Sequence, residues 1–237
     1  MAHASVLLIL ADPFDAEARA FAAVHAATGV LRLTPRDLSR EGWRLHLEDP
    51  KSVIAVCGEQ RIGSGEIGGV LTRLSHVAEE HIPHIAAEDC AYVACEMTAF
   101  FLAFLKGLAC RVSNRPTLQC LCGPMWSPER WRRLARDLGF AVQSWPTLAA
   151  LSEEAPRPKS PQTVVTVVGG TVFGDTRLGP LVQALAHAPG VDMLQMEFDG
   201  DGSNATLLRA RPLVKLGEAE IAAAALTLFE TRARHIA

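Results

Sequence analysis

The chain has 237 residues, 49% of them apolar and 21% charged, with a formal net charge of -3 and a pI near 6.2. This is enough for one large or two small domains around a substantial core, in the composition of a soluble globular protein. The slight acidic excess argues against a nucleic-acid binder, which carries a basic surplus; Arg130, Arg132, Arg133 and Arg136 are expected to line the wet face of one helix instead.

Val6-Leu7-Leu8-Ile9-Leu10 is too short to cross a bilayer and lacks the basic flank and small-residue cleavage pattern of a secretory leader. Ser5 to Leu10 therefore reads as a buried strand, and the six cysteines are expected to be reduced thiols in the cytoplasm, with no membrane association. Asp15 to Thr28 has apolar residues at helical spacing, Gly29 ends it, and Val30 to Leu33 resumes a strand. Strand–helix–strand in this order marks a parallel sheet with helices on its faces. Arg44 to Leu47 and Val53 to Cys57 add short strands, and residues 63–69 read as a glycine-rich loop leading into Val70-Leu71-Thr72-Arg73. Ala87 to Leu108 is the longest predicted helix, with Glu88 and Asp89 in the first turn, where negative charge suits the dipole. Ser127-Pro128-Glu129 starts another helix, which runs to Leu138, and Phe140 to Gln143 is a strand.

Ser152 to Gln162 carries Pro156, Pro158 and Pro161 and has the composition of a linker. The expected division is an α/β domain over 1–150, a linker over 151–162 and a smaller α+β part over 163–237. In that part, Thr163 to Val168 and Thr171 to Phe173 flank Gly169-Gly170, a two-residue hairpin signal. A helix follows over 178–188. A second hairpin joins Met193 to Phe198 with Thr206 to Arg209, and a last helix covers 218–234.

Several clusters could carry chemistry, each with a structural reading beside it. Asp199-x-Asp201-x-Ser203 begins like a calcium loop but has neither Gly at the sixth position nor Glu at the twelfth, so it predicts a polar turn. No glycine cluster matches a dinucleotide fingerprint or a P-loop. Cys120-Leu121-Cys122 is neither a C-x-x-C redox motif nor half of a four-cysteine zinc site, and is expected to be two buried, inert thiols. His76, His81 and His84 beside Glu79 and Glu80 allow a metal site, weighed against a polar surface loop. Arg209 and Arg211 are two apart on a predicted strand and so share a face. They would either grip an anion or carboxylate bidentately or form a solvated face.

Several phrases together resemble the ATP-grasp ligase superfamily, nearest its glutamate ligases acting on ribosomal proteins and its maturases of ribosomally made peptides. They are Val70-Leu71-Thr72-Arg73, Asp89 to Glu96, Asn114-Arg115-Pro116, Gly123-Pro124 with Trp131 to Ala135, and Val164 to Phe173. The resemblance implies a preliminary α/β domain over the first half that frames the substrate side of a cleft. Arg73, Glu96, Asn114 and Arg115 are its cleft candidates, against a structural Arg73–Glu96 ion pair and a simple turn at 114–116. It also implies that residues 163–237 are the end of the ATP-grasp domain. There a working ligase holds magnesium with an acid on one strand and a Glu-x-Asn on the next. Glu197 matches the acid, while Arg209 and Arg211 occupy the Glu and Asn positions.

Magnesium takes hard oxygen ligands, whereas a guanidinium offers donors and no acceptor. The lobe that would carry the phosphate-covering loop and its lysines is also expected to be missing, with Lys159 the one lysine in the linker. The resemblance therefore implies a truncated, degenerate member without metal or cofactor. Its expected role is a binding or scaffold subunit with a protein partner, either an active ligase, another biosynthetic enzyme or a second copy, and a small-molecule or peptide ligand. Two readings stay open beside it: an enzyme with repurposed chemistry, and an active ligase with a reduced nucleotide site.

Overall fold

The computed structural model describes residues 5–46, 48–49, 52–142, 160–202 and 205–230. Their contacts form two compact units. One runs up to Met125 and takes in the chain again from Lys215; the other is Trp126–Val214.

The first unit opens with β1 (Val6–Ala11), α1 (Ala16–Val24) and β2 (Val30–Leu33), as the apolar pattern predicts. Asp15 caps α1 by accepting from Ala18 N at 2.9 Å, which satisfies an otherwise orphaned first-turn donor. β3 (Ile54–Cys57) pairs antiparallel with β4 (Gln60–Gly63), followed by a single 3-10 turn and β5 (Ile67–Arg73). The glycine-rich segment is thus two strands and a turn, not a loop, and Arg44 makes only an isolated bridge to Ile54. α2 (Ala87–Gly107) and β6 (Arg111–Ser113) follow.

The parallel sheet has the order β2-β1-β5-β6. β1 lies between two partners, and its uninterrupted apolar run suits a strand covered on both faces. Leu8, Leu10, Phe101 and Phe104 are buried in the core, and Trp43 meets Phe100 and Phe104 edge-on at 5.4 and 5.5 Å.

The second unit contains α3 (Pro128–Asp137), β7 (Ala141–Val142), β8 (Thr163–Val168), β9 (Thr171–Phe173), α4 (Gly179–His187), β10 (Met193–Asp199) and β11 (Thr206–Arg211). Its sheet order is β7-β11-β10-β8-β9. Both predicted hairpins form. Gly169 and Gly170 have φ of 56° and 95°, the left-handed pair that a two-residue turn between β8 and β9 needs. Trp131 of α3 and Phe140 join the core of this sheet, where Phe140 stacks on Phe198 at 5.8 Å. Arg132 is buried rather than on the wet face expected of it, while Arg130, Arg133 and Arg136 are exposed.

The last helix, α5 (Ala219–Glu230), was expected in the C-terminal part over 163–237 but groups with the first unit. Arg111 Nη1 donates to Leu228 O at 3.2 Å, and Leu216 N donates to Glu17 Oε2 at 3.0 Å. The cause is local. Gly69 on β5 leaves a notch that Phe229 fills, and a Cβ at Gly69 would sit 2.3 Å from Phe229 Cδ1. The composition-based boundary also placed α3 and β7 in the wrong half, because β7 pairs with β11. Most of the expected linker, 143–159, is outside the described residues.

Gly69→Ala is expected to destabilise the protein by about 2 kcal/mol through overpacking. Urea unfolding checks it, and adding Phe229→Leu should recover part of the loss.

Candidate functional site

In the first unit, polar side chains gather beyond the carboxyl ends of the parallel strands, where open α/β sheets form ligand crevices. Arg73 ends β5 and is 8% exposed. Its Nε donates to Asp15 Oδ2 at 2.6 Å, and its Nη2 lies 3.3 Å from Glu17 Oε2. Asp15 and Glu17 are therefore ion-pair partners of Arg73, in place of the Arg73–Glu96 pair weighed from the sequence. Asp15 and Glu17 were missed as partners of this arginine. Their signal was the Asp-rich turn directly after β1, which topology sets beside the end of β5.

Asn114 follows β6 and is buried, and its carbonyl accepts from Thr72 Oγ1 at 3.2 Å. Arg115 is exposed. Glu96 is exposed on α2 and lines a separate groove of about 370 Å³ with Leu38, Trp43, Met97, Ala99 and Phe100. Of the four cleft candidates, only Arg73 and Asn114 stand at adjoining strand ends.

The histidines do not converge. His81 is buried, accepts from Ala78 N at Nδ1 (3.1 Å) and lies 3.2 Å from Asp12 Oδ2 through Nε2. Accepting at Nδ1 places the proton of the neutral ring on Nε2, the nitrogen that faces Asp12. His76 contacts Ser75 and His84 contacts Ser39. Among the described residues, no group of three or more His, Cys, Asp or Glu is placed to hold a metal ion.

Cys120 and Cys122 are both buried, with their sulfurs in hydrogen-bond contact at 3.5 Å. That contact holds the Cys120 thiol down at about 7, against the opposing effect of burial, and pushes Cys122 up. Cys57 is pushed up to about 12 by burial and by Asp37, and donates to Arg32 O. A thiol whose folded value lies above its unfolded one favours the folded state below the unfolded value of 9.0 and loses that contribution as pH rises towards 12. The stability difference between the wild type and Cys57→Ala is accordingly expected to shrink over that pH range. Urea unfolding at several pH values measures it, and a constant difference contradicts it.

In the second unit, Glu197, Arg209 and Arg211 do come together. Glu197 sits on β10 opposite Arg209 of β11, just before a register shift, and Gln195 is opposite Arg211. Glu197 is 5% exposed, whereas both arginines are exposed. Arg211 Nη2 donates to Glu197 Oε1. Arg209 Nε lies 2.8 Å from Oε2 without hydrogen-bond alignment, so that buried oxygen makes no hydrogen bond. One carboxylate thus stands between two guanidiniums, with most of their donors left over for solvent or an anion.

The nearby 199–202 turn is tied by Arg177, which contacts Asp175 Oδ2 at 2.8 Å and Asp201 Oδ2 at 2.6 Å. Gly202 N also donates to Asp175 at 2.8 Å. Arg177 thereby holds the Asp175 carboxyl well below the usual carboxylate range. Asp201 is committed to this arginine, and Ser203 and Asn204 are outside the described residues.

No protein-family model matches the sequence, and no curated protein is similar to it. Solved structures are similar. The macrocyclase MdnC bound with precursor peptide MdnA, from Microcystis aeruginosa MRC, superposes with a TM-score of 0.71 at 12% identity, covering 95% of this chain and 99% of that one. The chain has the fold of the ATP-grasp ligases. The ATP-grasp ligase PsnB complexed with precursor peptide PsnA2 and AMPPNP gives a TM-score of 0.64 at 12% identity, over 94% of this chain and 98% of that one. The macrocyclase MdnB of the same Microcystis strain gives 0.58 at 15%, over 94% and 98%.

An ATP-grasp ligase needs magnesium, and the donor set here does not fit it. At the position where the sequence resemblance would put the metal-binding acid, both oxygens of Glu197 face arginines, Arg209 and Arg211 of the neighbouring strand. A divalent ion at Glu197 would have to displace two fixed charges of its own sign.

Proposed function

We propose that this chain is a non-catalytic ATP-grasp-like subunit of a peptide-modifying biosynthetic system, which binds an anionic or peptide ligand and partners an active enzyme. The supporting observation is the Arg209–Glu197–Arg211 clamp, fixed charge where an ATP-grasp ligase would need oxygen ligands. Phosphoryl transfer depends on positive charge and metal arranged around the triphosphate. The whole chain has four lysines, Lys51, Lys106, Lys159 and Lys215, none of them within β8 to β11. Fold similarity to ligases solved with precursor peptides favours a peptide as the ligand class.

The deciding experiment is calorimetric titration of the full chain with ATP, with and without magnesium. The expected result is nucleotide affinity that magnesium does not raise. Tight binding strengthened tenfold or more by magnesium, about 1.4 kcal/mol, would reject the reading and favour an active ligase.

A further inference from the structure

α2 has one face in the core and one face bare. Cys90, Ala94, Phe101, Phe104 and Leu105 are buried. By length and composition the helix could cross a membrane, yet only 28% of its apolar stretch is buried. The bare face carries Glu88, Tyr92, Cys95, Ala99, Leu102 and Lys106, all exposed except the half-buried Leu102. Tyr92 stands out at 68% exposure.

These six positions follow alternating steps of four and three residues, the spacing of a helix–helix seam. They are also matched in pairs about Met97. Cys95 and Ala99 are two residues either side of it, Tyr92 and Leu102 five, and Glu88 and Lys106 nine. Small faces small, large apolar faces large apolar, and acid faces base. Such a pattern is complementary to its own reversed copy, and a two-fold interface demands this of a single surface.

We propose that α2 is the interface of a homodimer in which two copies pack antiparallel across a two-fold axis level with Met97. Cys95 of each copy lies against Ala99 of the other, where the short side chains let the helix backbones approach closely. Tyr92 covers the other copy's Leu102, and the two Glu88–Lys106 contacts at the ends fix direction and register. A membrane suits the seam less well, because acid at one end and base at the other lie along the same apolar face.

Sedimentation of the full chain tests it, read against the monomer mass of 25.5 kDa. The wild type is expected at twice that mass. Ala99→Glu should give a monomer with unchanged circular dichroism, since Ala99 is exposed and leaves the core untouched. Lys106→Glu and Glu88→Lys should each weaken the dimer about tenfold, because each disrupts two symmetric charge pairs. The double variant should restore it. A wild-type monomer, with or without attachment to phospholipid vesicles, overturns the proposal. So does a dimer that survives Ala99→Glu, or charge reversals that fail to compensate each other.

Discussion

Arg73→Met is expected to cost about 3 kcal/mol of unfolding free energy, the scale of stranding buried charge. Arg73 is almost fully buried and serves two carboxylates, Asp15 at 2.6 Å and Glu17 at 3.3 Å. Methionine fills much of the volume but leaves both acids without a counter-charge. Glu17 is 39% exposed and can relax into water, whereas Asp15, at 12%, is held in place as the cap of α1. The loss therefore falls mainly on Asp15. Arg73→Lys should recover only part of it, because a point charge cannot span both carboxylates as a planar fork does. Urea unfolding measures the effect, and a loss below about 1 kcal/mol would show that surrounding polar groups already satisfy the acids.

Replacing Arg209 and Arg211 together by methionine should cost about 2 kcal/mol. Each arginine is about half exposed, so each pair alone is worth little once solvent screens it. The expense lies in Glu197, which stays buried with nothing to balance it. This yields a distinguishing outcome: adding Glu197→Met to the double variant should return stability to the wild-type level or above. If the triple variant is no better than the double, apolar packing of the arginine stems carries the effect, not charge. If the triple variant is recovered in stability, its ligand binding tests the clamp's role separately from folding.

The strands and helices of this fold were legible wherever apolar period and caps agreed. The run at Val6–Ala11, the cap at Ser127 and the paired glycines at 169–170 each determine local backbone with few alternatives. Residues 63–69 misled because glycines suggest a loop, although Gly68 and Gly69 are strand positions inside β5. The ownership of α5 was illegible for a related reason. A glycine records the absence of a side chain but not which distant residue fills the space, and Phe229 gives no local sign of its target. The sequence put Arg209 and Arg211 on one face of a strand and left open whether Glu197 meets them; that meeting is set by the short-range register of the β10–β11 hairpin. Arg73's partners were not legible, since Asp15 reaches it only through parallel pairing of β1 with β5 across 58 positions of chain.

Because α5 belongs with β5, the first unit is interrupted: Trp126–Val214 is inserted between its two segments. During synthesis the inserted part leaves the ribosome entire before the unit that surrounds it is complete. Until the last helix emerges, the notch at Gly69 stays unfilled and Glu17 lacks the Leu216 amide. Maturation of the outer unit is thus tied to the emergence of α5, and a nascent chain stalled before residue 219 should remain sensitive to protease in its first 125 residues.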